Sequence, residues 1–228
     1  MRPILKCLVL LPLLLLLGCG TSRREPTRIL MQTTRGDITL ELSDRTPRHR
    51  DNFVRLTRQG HFDGVLFHRV IADFMIQGGD PDSRDAAPGA LLGNGDLGYT
   101  VAAEFRYPEL LHRRGALAAA RTSDEVNPRR ASSSSQFYIV WGRTFTDPEL
   151  DAVQQRLDRA TGGRIVLSPS VREIYRTDGG TPHLDGQYTV FGRVVEGLDT
   201  VEAILNERTD DNDRPLNDVR IVKASVLE

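Results

Sequence analysis

Between Arg28 and Val226 the apolar residues fall into short runs of strand length separated by turns, with no regular alternation of strand and helix. Ile38, Leu40 and Leu42 alternate with Thr39 and Glu41, the period-two pattern of a half-buried strand. Arg28 to Thr33 precedes it across a hairpin turn at Thr34-Arg35-Gly36-Asp37, which accounts for the Arg-Gly-Asp tripeptide without adhesion. Further strands are predicted at Val65–Ile71, Phe74–Gly78, Thr100–Glu104, Gly115–Ala120, Gln136–Trp141, Tyr188–Val194 and Val219–Val226. Helices are fewer. Thr46 and Pro47 read as N-cap and first helical residue of one that runs to about Arg58. Thr146 and Glu149 have capping-box spacing ahead of Leu150, Val153 and Leu157, and Gly162-Gly163 ends that helix. Ser168-Pro169 opens another to about Arg176, and Leu198, Val201, Ile204 and Leu205 mark a last one. Asp80–Gly98 and Asp124–Ser135 read as loops, the second flexible and polar around its four serines. Such an order favours an antiparallel barrel or sandwich flanked by helices over a doubly wound sheet.

Composition narrows the function. Thirty basic residues against 31 acidic ones leave no excess of positive charge for nucleic acid. Both cysteines, Cys7 and Cys19, lie in the first twenty residues, so the body of the chain holds no disulfide, catalytic thiol or cysteine-based metal site. The five histidines show no metal-ligand spacing, and no metal or other cofactor is expected.

The N-terminus reads as an export signal over residues 1–18. Arg2 and Lys6 precede an apolar run, Leu8–Leu17, that is shorter than the roughly 20 residues a membrane span needs. It ends in Leu16-Leu17-Gly18-Cys19, which resembles the bacterial lipobox. That resemblance implies cleavage before Cys19 and lipidation of its thiol, with residues 19–27 a polar tether to a domain spanning 28–228. The mature chain would keep 28 basic and 31 acidic residues, a charge of −3. The expected location is the cell envelope, on the periplasmic side of the outer membrane in a Gram-negative cell.

The densest candidate chemistry lies in Phe67-His68-Arg69-Val70-Ile71-Ala72-Asp73-Phe74-Met75-Ile76-Gln77-Gly78-Gly79-Asp80. Strand alternation puts Phe67, Arg69 and Ile71 on one face and His68 and Val70 on the other. It likewise separates Phe74 and Ile76 from Met75 and Gln77. Arg69, Met75 and Gln77 can then share a surface. A cation beside an amide and a soft apolar side chain does not suit a nucleophilic enzyme, and no acid–base dyad is apparent.

This stretch closely resembles the signature of the cyclophilins, the cyclophilin-type peptidyl-prolyl cis-trans isomerases. Three more blocks follow in order: Gly115–Arg121, Ser134–Ile139 and His183–Val194. The resemblance implies a mainly β fold, a closed eight-stranded antiparallel barrel capped by helices. It implies Arg69 and Gln77 as catalytic residues, and Phe74, Met75, Tyr138 and Leu184 as the proline pocket. Ala120, Arg121, Gln136, His183 and Tyr188 complete the substrate-binding set. The partners so implied are proline-containing polypeptides, bound by a monomer. A binding module that merely holds proline segments would not need Arg69.

Several positions depart from the best-known eukaryotic pattern: Arg121 replaces an asparagine, Tyr138 a pocket phenylalanine, Tyr188 a pocket histidine, and His183 the tryptophan linked to cyclosporin affinity. His68 is expected to make a structural hydrogen bond, and Trp141 to pack. Residues 143–182 form a helical insertion that rejoins the pattern at His183-Leu184, either as a tolerated addition or as an element selecting residues that flank proline.

Overall fold

The computed structural model describes residues 25–227; the expected leader, Cys19 and residues 20–24 of the expected tether lie outside the described residues, as does residue 228. Eight strands form one antiparallel sheet in the order β10-β1-β2-β9-β6-β8-β4-β3. These are β1 (Arg28–Thr33), β2 (Gly36–Leu42), β3 (Phe67–Ile71), β4 (Met75–Gly78), β6 (Ala116–Ala119), β8 (Phe137–Val140), β9 (Val190–Glu196) and β10 (Ile221–Leu227). The two ends of the sheet meet. Phe67 N donates to Val219 O at 2.9 Å and Ile221 N to Val65 O at 2.9 Å, so main-chain bonds curl the sheet into a barrel.

The interior is apolar and rich in aromatic rings. Phe53, Phe62, Phe67, Phe137 and Phe191 are all buried in it. Phe137 meets Phe53 and Phe62 edge-on, with ring centroids 5.5 and 5.6 Å apart. Helices α1 (Pro47–Arg58) and α4 (Leu198–Leu205) bring Phe53 and Leu56, and Val201, Ile204 and Leu205, into this same core. Trp141 packs at its edge under the Arg114 guanidinium, 4.5 Å from the ring centre.

Two local expectations give way to long-range partners. Thr46 makes no side-chain cap on α1. The buried Glu104 carboxylate accepts from the amides of Arg48 (3.3 Å) and His49 (3.1 Å) instead, placing negative charge at the positive end of the helix. The same carboxylate holds His49 Nδ1 at 2.8 Å, while His49 Nε2 meets Ser132 Oγ at 2.9 Å. This has the connectivity of a nucleophilic triad, but all three residues are buried and it works as a brace. The serine segment is therefore not a flexible loop. Ser132–Ser133 form β7, paired with β5 (Thr100–Val101), which is shorter than the Thr100–Glu104 strand anticipated. Ser134 Oγ accepts from Leu97 N, and Ser134 O accepts from Asn52 Nδ2.

The insertion folds as two helices, α2 (Asp147–Thr161) and α3 (Pro169–Thr177). Thr146 and Glu149 form the capping box, and Gly162 closes α2 in the left-handed region. Ser168 Oγ accepts from Val171 N at the start of α3. Leu150, Leu157, Ile165, Leu167, Val171 and Tyr175 bury against Leu111 in a small core of their own. Main-chain bonds from Arg114 N to Gly179 O and from Thr181 N to His112 O stitch it to the barrel. Gly180 sits so close that a Cβ would lie 2.2 Å from His112 O, which only glycine tolerates.

Candidate active site

The site stands on the outer face of β3, β4, β6 and β8. The register pairs Arg69 with Gln77 and Gln77 with Tyr138, so three candidate residues line up across neighbouring strands. An irregularity between Phe67 and Arg69 breaks the alternation. As a result Phe67 and Val70 both enter the barrel core, and Phe67 does not share a face with Arg69 as simple alternation requires. Phe74 also changes sides. It lies before β4, after Asp73 in the left-handed region (φ 55°), and packs with Met75 rather than Ile76.

A polar relay orients Arg69 and Gln77. Gln136 Nε2 donates to the carbonyls of Gly93 and Gly95, both at 2.9 Å, which fixes its amide orientation. Its Oε1 then accepts from Gln77 Nε2 at 3.0 Å, which turns Gln77 Oε1 toward Arg69 Nη1, 3.5 Å away. The buried Asp80 secures the far end by accepting from the amides of Gly93 and Gly95. Gly95 is required there, since a Cβ would lie 2.0 Å from Asp80 Oδ1. Asp213, a residue the sequence reading missed, sits 3.5 Å from Arg69 Nε. Asp213 O also accepts from Val70 N at 2.8 Å, so its loop braces β3 and steers the guanidinium together. Arg69 remains half-exposed, with donors to spare.

His68 overturns expectation. It is buried, yet neither ring nitrogen has a hydrogen-bond partner among the described residues. Burial pushes its pKa down to about 4, so it stays neutral near pH 7.

Beside the relay lies an apolar patch distinct from the barrel core. Met75 and Tyr138 form its floor with Ala116, Ala118, Val140 and Val190, and Phe74, Ala120, Leu184 and Tyr188 pack around them. The small outward residues of β6, Ala116 and Ala118, keep the floor low. His183 stacks on Phe74 with centroids 6.0 Å apart, and burial first, then the charge of Arg156, pushes its pKa down to about 4. Arg121 lies 4.3 Å over the Tyr188 ring, donates to Gln187 O and pairs with Asp124 at 2.6 Å. Its guanidinium is thus engaged in holding the rim. All eleven anticipated site residues border this one face, with Arg69, Gln77 and Gln136 on its polar side.

The hydroxyl of Tyr138 points to a connection that the sequence did not suggest. It lies 3.1 Å from His112 Nε2, and His112 Nδ1 lies 2.9 Å from Asp185 Oδ1. Asp185 Oδ1 accepts from His112 N as well, and Oδ2 accepts from Tyr175 OH of α3 at 2.6 Å. The carboxylate assigns the proton to Nδ1, so Tyr138 OH donates to Nε2. The buried chain Tyr138–His112–Asp185–Tyr175 therefore runs from the pocket floor into the insertion. With His49–Glu104 it makes two buried histidine–carboxylate pairs where sequence showed no dyad.

The profile of the family described as "cyclophilin type peptidyl-prolyl cis-trans isomerase/CLD" matches residues 28–226. A protein from Staphylococcus saprophyticus with a peptidyl-prolyl cis-trans isomerase name is 35% identical over 202 residues, covering 88% of this chain and 92% of that one. One from Staphylococcus epidermidis is 36% identical over 202 residues with the same coverage. The crystal structure of a cyclophilin type peptidyl-prolyl cis-trans isomerase from Cryptosporidium parvum superposes with a TM-score of 0.64 at 24% identity, over 89% of this chain and 98% of that one. A second structure of that protein, in the presence of the dipeptide Ala-Pro, gives 0.61, over 88% of this chain and 99% of that one. The chain belongs to the cyclophilin-type peptidyl-prolyl cis-trans isomerases.

Proposed function

We propose that this isomerase acts on Xaa-Pro bonds of exported proteins, tethered to a membrane through Cys19, and that Arg69 stabilises the twisted amide. The observation that carries the mechanism is the half-exposed Arg69 guanidinium, held by Gln77 and Asp213 at the border of an apolar patch. The resonance barrier is about 18–20 kcal/mol. Twisting returns the lone pair to the proline nitrogen, so a donor aimed there binds the transition state better than the planar amide. No nucleophile is needed. A charge-assisted hydrogen bond contributes about 1.5–3 kcal/mol, roughly one to two decades of rate. Gln77 Nε2 keeps one N–H beyond its bond to Gln136, available for the substrate carbonyl. Phe74, Met75, Tyr138 and Leu184 take the pyrrolidine ring. The relative crystallised with Ala-Pro supports an Xaa-Pro unit as the recognised element.

A protease-coupled assay on a neutral Xaa-Pro peptide tests this reading. Arg69→Ala should lower kcat/KM at least tenfold with unchanged thermal unfolding, and Arg69→Lys should fall short of wild type because an ammonium lacks the planar fork. A near-normal rate in Arg69→Ala sinks the mechanism. The anchor rests on the Leu16-Leu17-Gly18-Cys19 pattern. Two or three acyl chains at ~0.8 kcal/mol per methylene would hold the domain at a bilayer. Fatty-acid labelling should mark the wild type and not Cys19→Ser; an unlabelled wild type returns the segment to an ordinary signal peptide.

A further inference from the structure

A groove of about 440 Å3 opens between helix α2 and the Asp73–Phe74 turn. Its near end is the Phe74–His183 stack, so it is continuous with the apolar pocket. Phe145, Ala152 and Val153 of the insertion form the opposite wall. Thr181 lines it too, and its hydroxyl is buried with no hydrogen-bond partner among the described residues. A barrel without residues 143–182 would have no such wall.

The charges around the groove are unequal. Glu149 is engaged twice, by Arg143 at 2.8 Å and by Thr146 at the helix cap. Along the insertion, Arg143, Arg172 and Arg176 each pair with a carboxylate. Arg156 lines the groove, is exposed, and has no carboxylate within 4.0 Å among the described residues. It lies near enough to His183 to act on that ring's charge. Asp73 carries the opposite charge on the other lip, so the groove is polarised across its width, positive on the α2 side.

We infer that this groove is a substrate subsite for the peptide flanking the proline, in which Arg156 favours an acidic side chain. The inference rests on the isomerase reading, because the groove matters only if a proline peptide occupies the adjoining pocket. A volume of about 440 Å3 accommodates one or two residues. Arg156 is exposed, so its effect is that of a surface charge, several-fold in rate and weakened by salt.

The test uses acetylated, amidated Ala-Ala-Pro-Ala-Ala peptides, with Glu or Lys replacing each alanine in turn, and exchange rates read by NMR. The quantity is the ratio of kcat/KM for the Glu and Lys peptides at each position. Wild type should show a ratio of about fivefold at one flank position, falling toward one at high salt, and Arg156→Glu should invert it. Ratios near one at every position, or a preference that Arg156→Glu leaves in place, overturn the subsite. Failure of wild type to act on the all-alanine peptide overturns the isomerase reading instead, so the two failures are separable.

Discussion

On β8, Phe137 and Ile139 point into the barrel while Tyr138 and Val140 point out, and the two faces are held by different means. Inside, shape does the work: aromatic rings meet edge to face and apolar side chains fill the space around them. Outside, the apolar floor is shallow and its geometry comes from buried polar relays, Asp80–Gly93/Gly95–Gln136–Gln77 on one side and Tyr138–His112–Asp185–Tyr175 on the other. The contrast separates stability from positioning: the inside sets whether the chain folds, and the outside sets where side chains lie to within ångströms.

The largest expected effect falls on the inside. Phe137→Ala removes a ring that touches Phe53, Phe62 and Phe67 and should cost about 3–5 kcal/mol in urea unfolding. A loss below about 1.5 kcal/mol would show that the aromatic cluster is not what sustains the barrel.

Acid attacks two imidazoles, His68 on β3 and His183 on the rim of the outer patch. His68 and His183 both have pKa values near 4 in the fold against about 6.5 unfolded, so the unfolded chain binds more protons between these limits. Their contribution is complete above pH 6.5 and lost as pH falls through 4. For His68 the loss is on the order of 3 kcal/mol. Unfolding free energies from pH 7 to 4 should fall accordingly, and less steeply in His68→Gln. Parallel pH profiles for the two proteins would exclude His68 as the cause.

Cyclosporin tests the rim. His183 buries less apolar area than the tryptophan of the family pattern; a deficit of roughly 50–100 Å2 costs about 1–2.5 kcal/mol, one to two decades in affinity. Inhibition should be weak, and as tight as in tryptophan-bearing relatives only if His183 is irrelevant.

The smallest effect is the most discriminating for the outer face. Tyr138→Phe keeps the ring and leaves His112 Nε2 without its donor, at about 1 kcal/mol. Proteolytic sensitivity of 143–182 should rise with little change in barrel unfolding. If both regions soften equally, the relay is not a separate support.

What was legible in the sequence is local. The caps of α2 and α3 need only near neighbours: the Thr146–Glu149 box is found as read, and Ser168-Pro169 opens α3 as read. The strand expected at Gln136–Trp141 is likewise present, as β8. The misreadings share a long-range cause. Thr46 is the best local cap for α1, but Glu104, 56 residues on from Arg48, reaches the helix amides first. The irregularity at His68 arises from pairing with β4, which one strand's pattern cannot show. Asp213 and Asp185 meet their partners only through the closed topology, and only the run Asp210-Asp211-Asn212-Asp213 hinted at the former. The site residues were placed by family resemblance, while their supports were invisible until the chain was folded.

The closing strand has a consequence in time. β1 begins at Arg28 and its outer partner β10 ends at Leu227, so nearly the whole domain must be available before the first strand gains its second neighbour. The seam between Val65–Phe67 and Val219–Ile221 also waits for these last residues. Pairing so distant in sequence carries a large loop-closure entropy and makes for slow folding. A chain emerging in order exposes two open sheet edges until its final turn arrives, an interval in which edge-to-edge association with other chains is the competing reaction. In this isomerase the stretch from Val219 to Leu227 therefore decides when the barrel is finished.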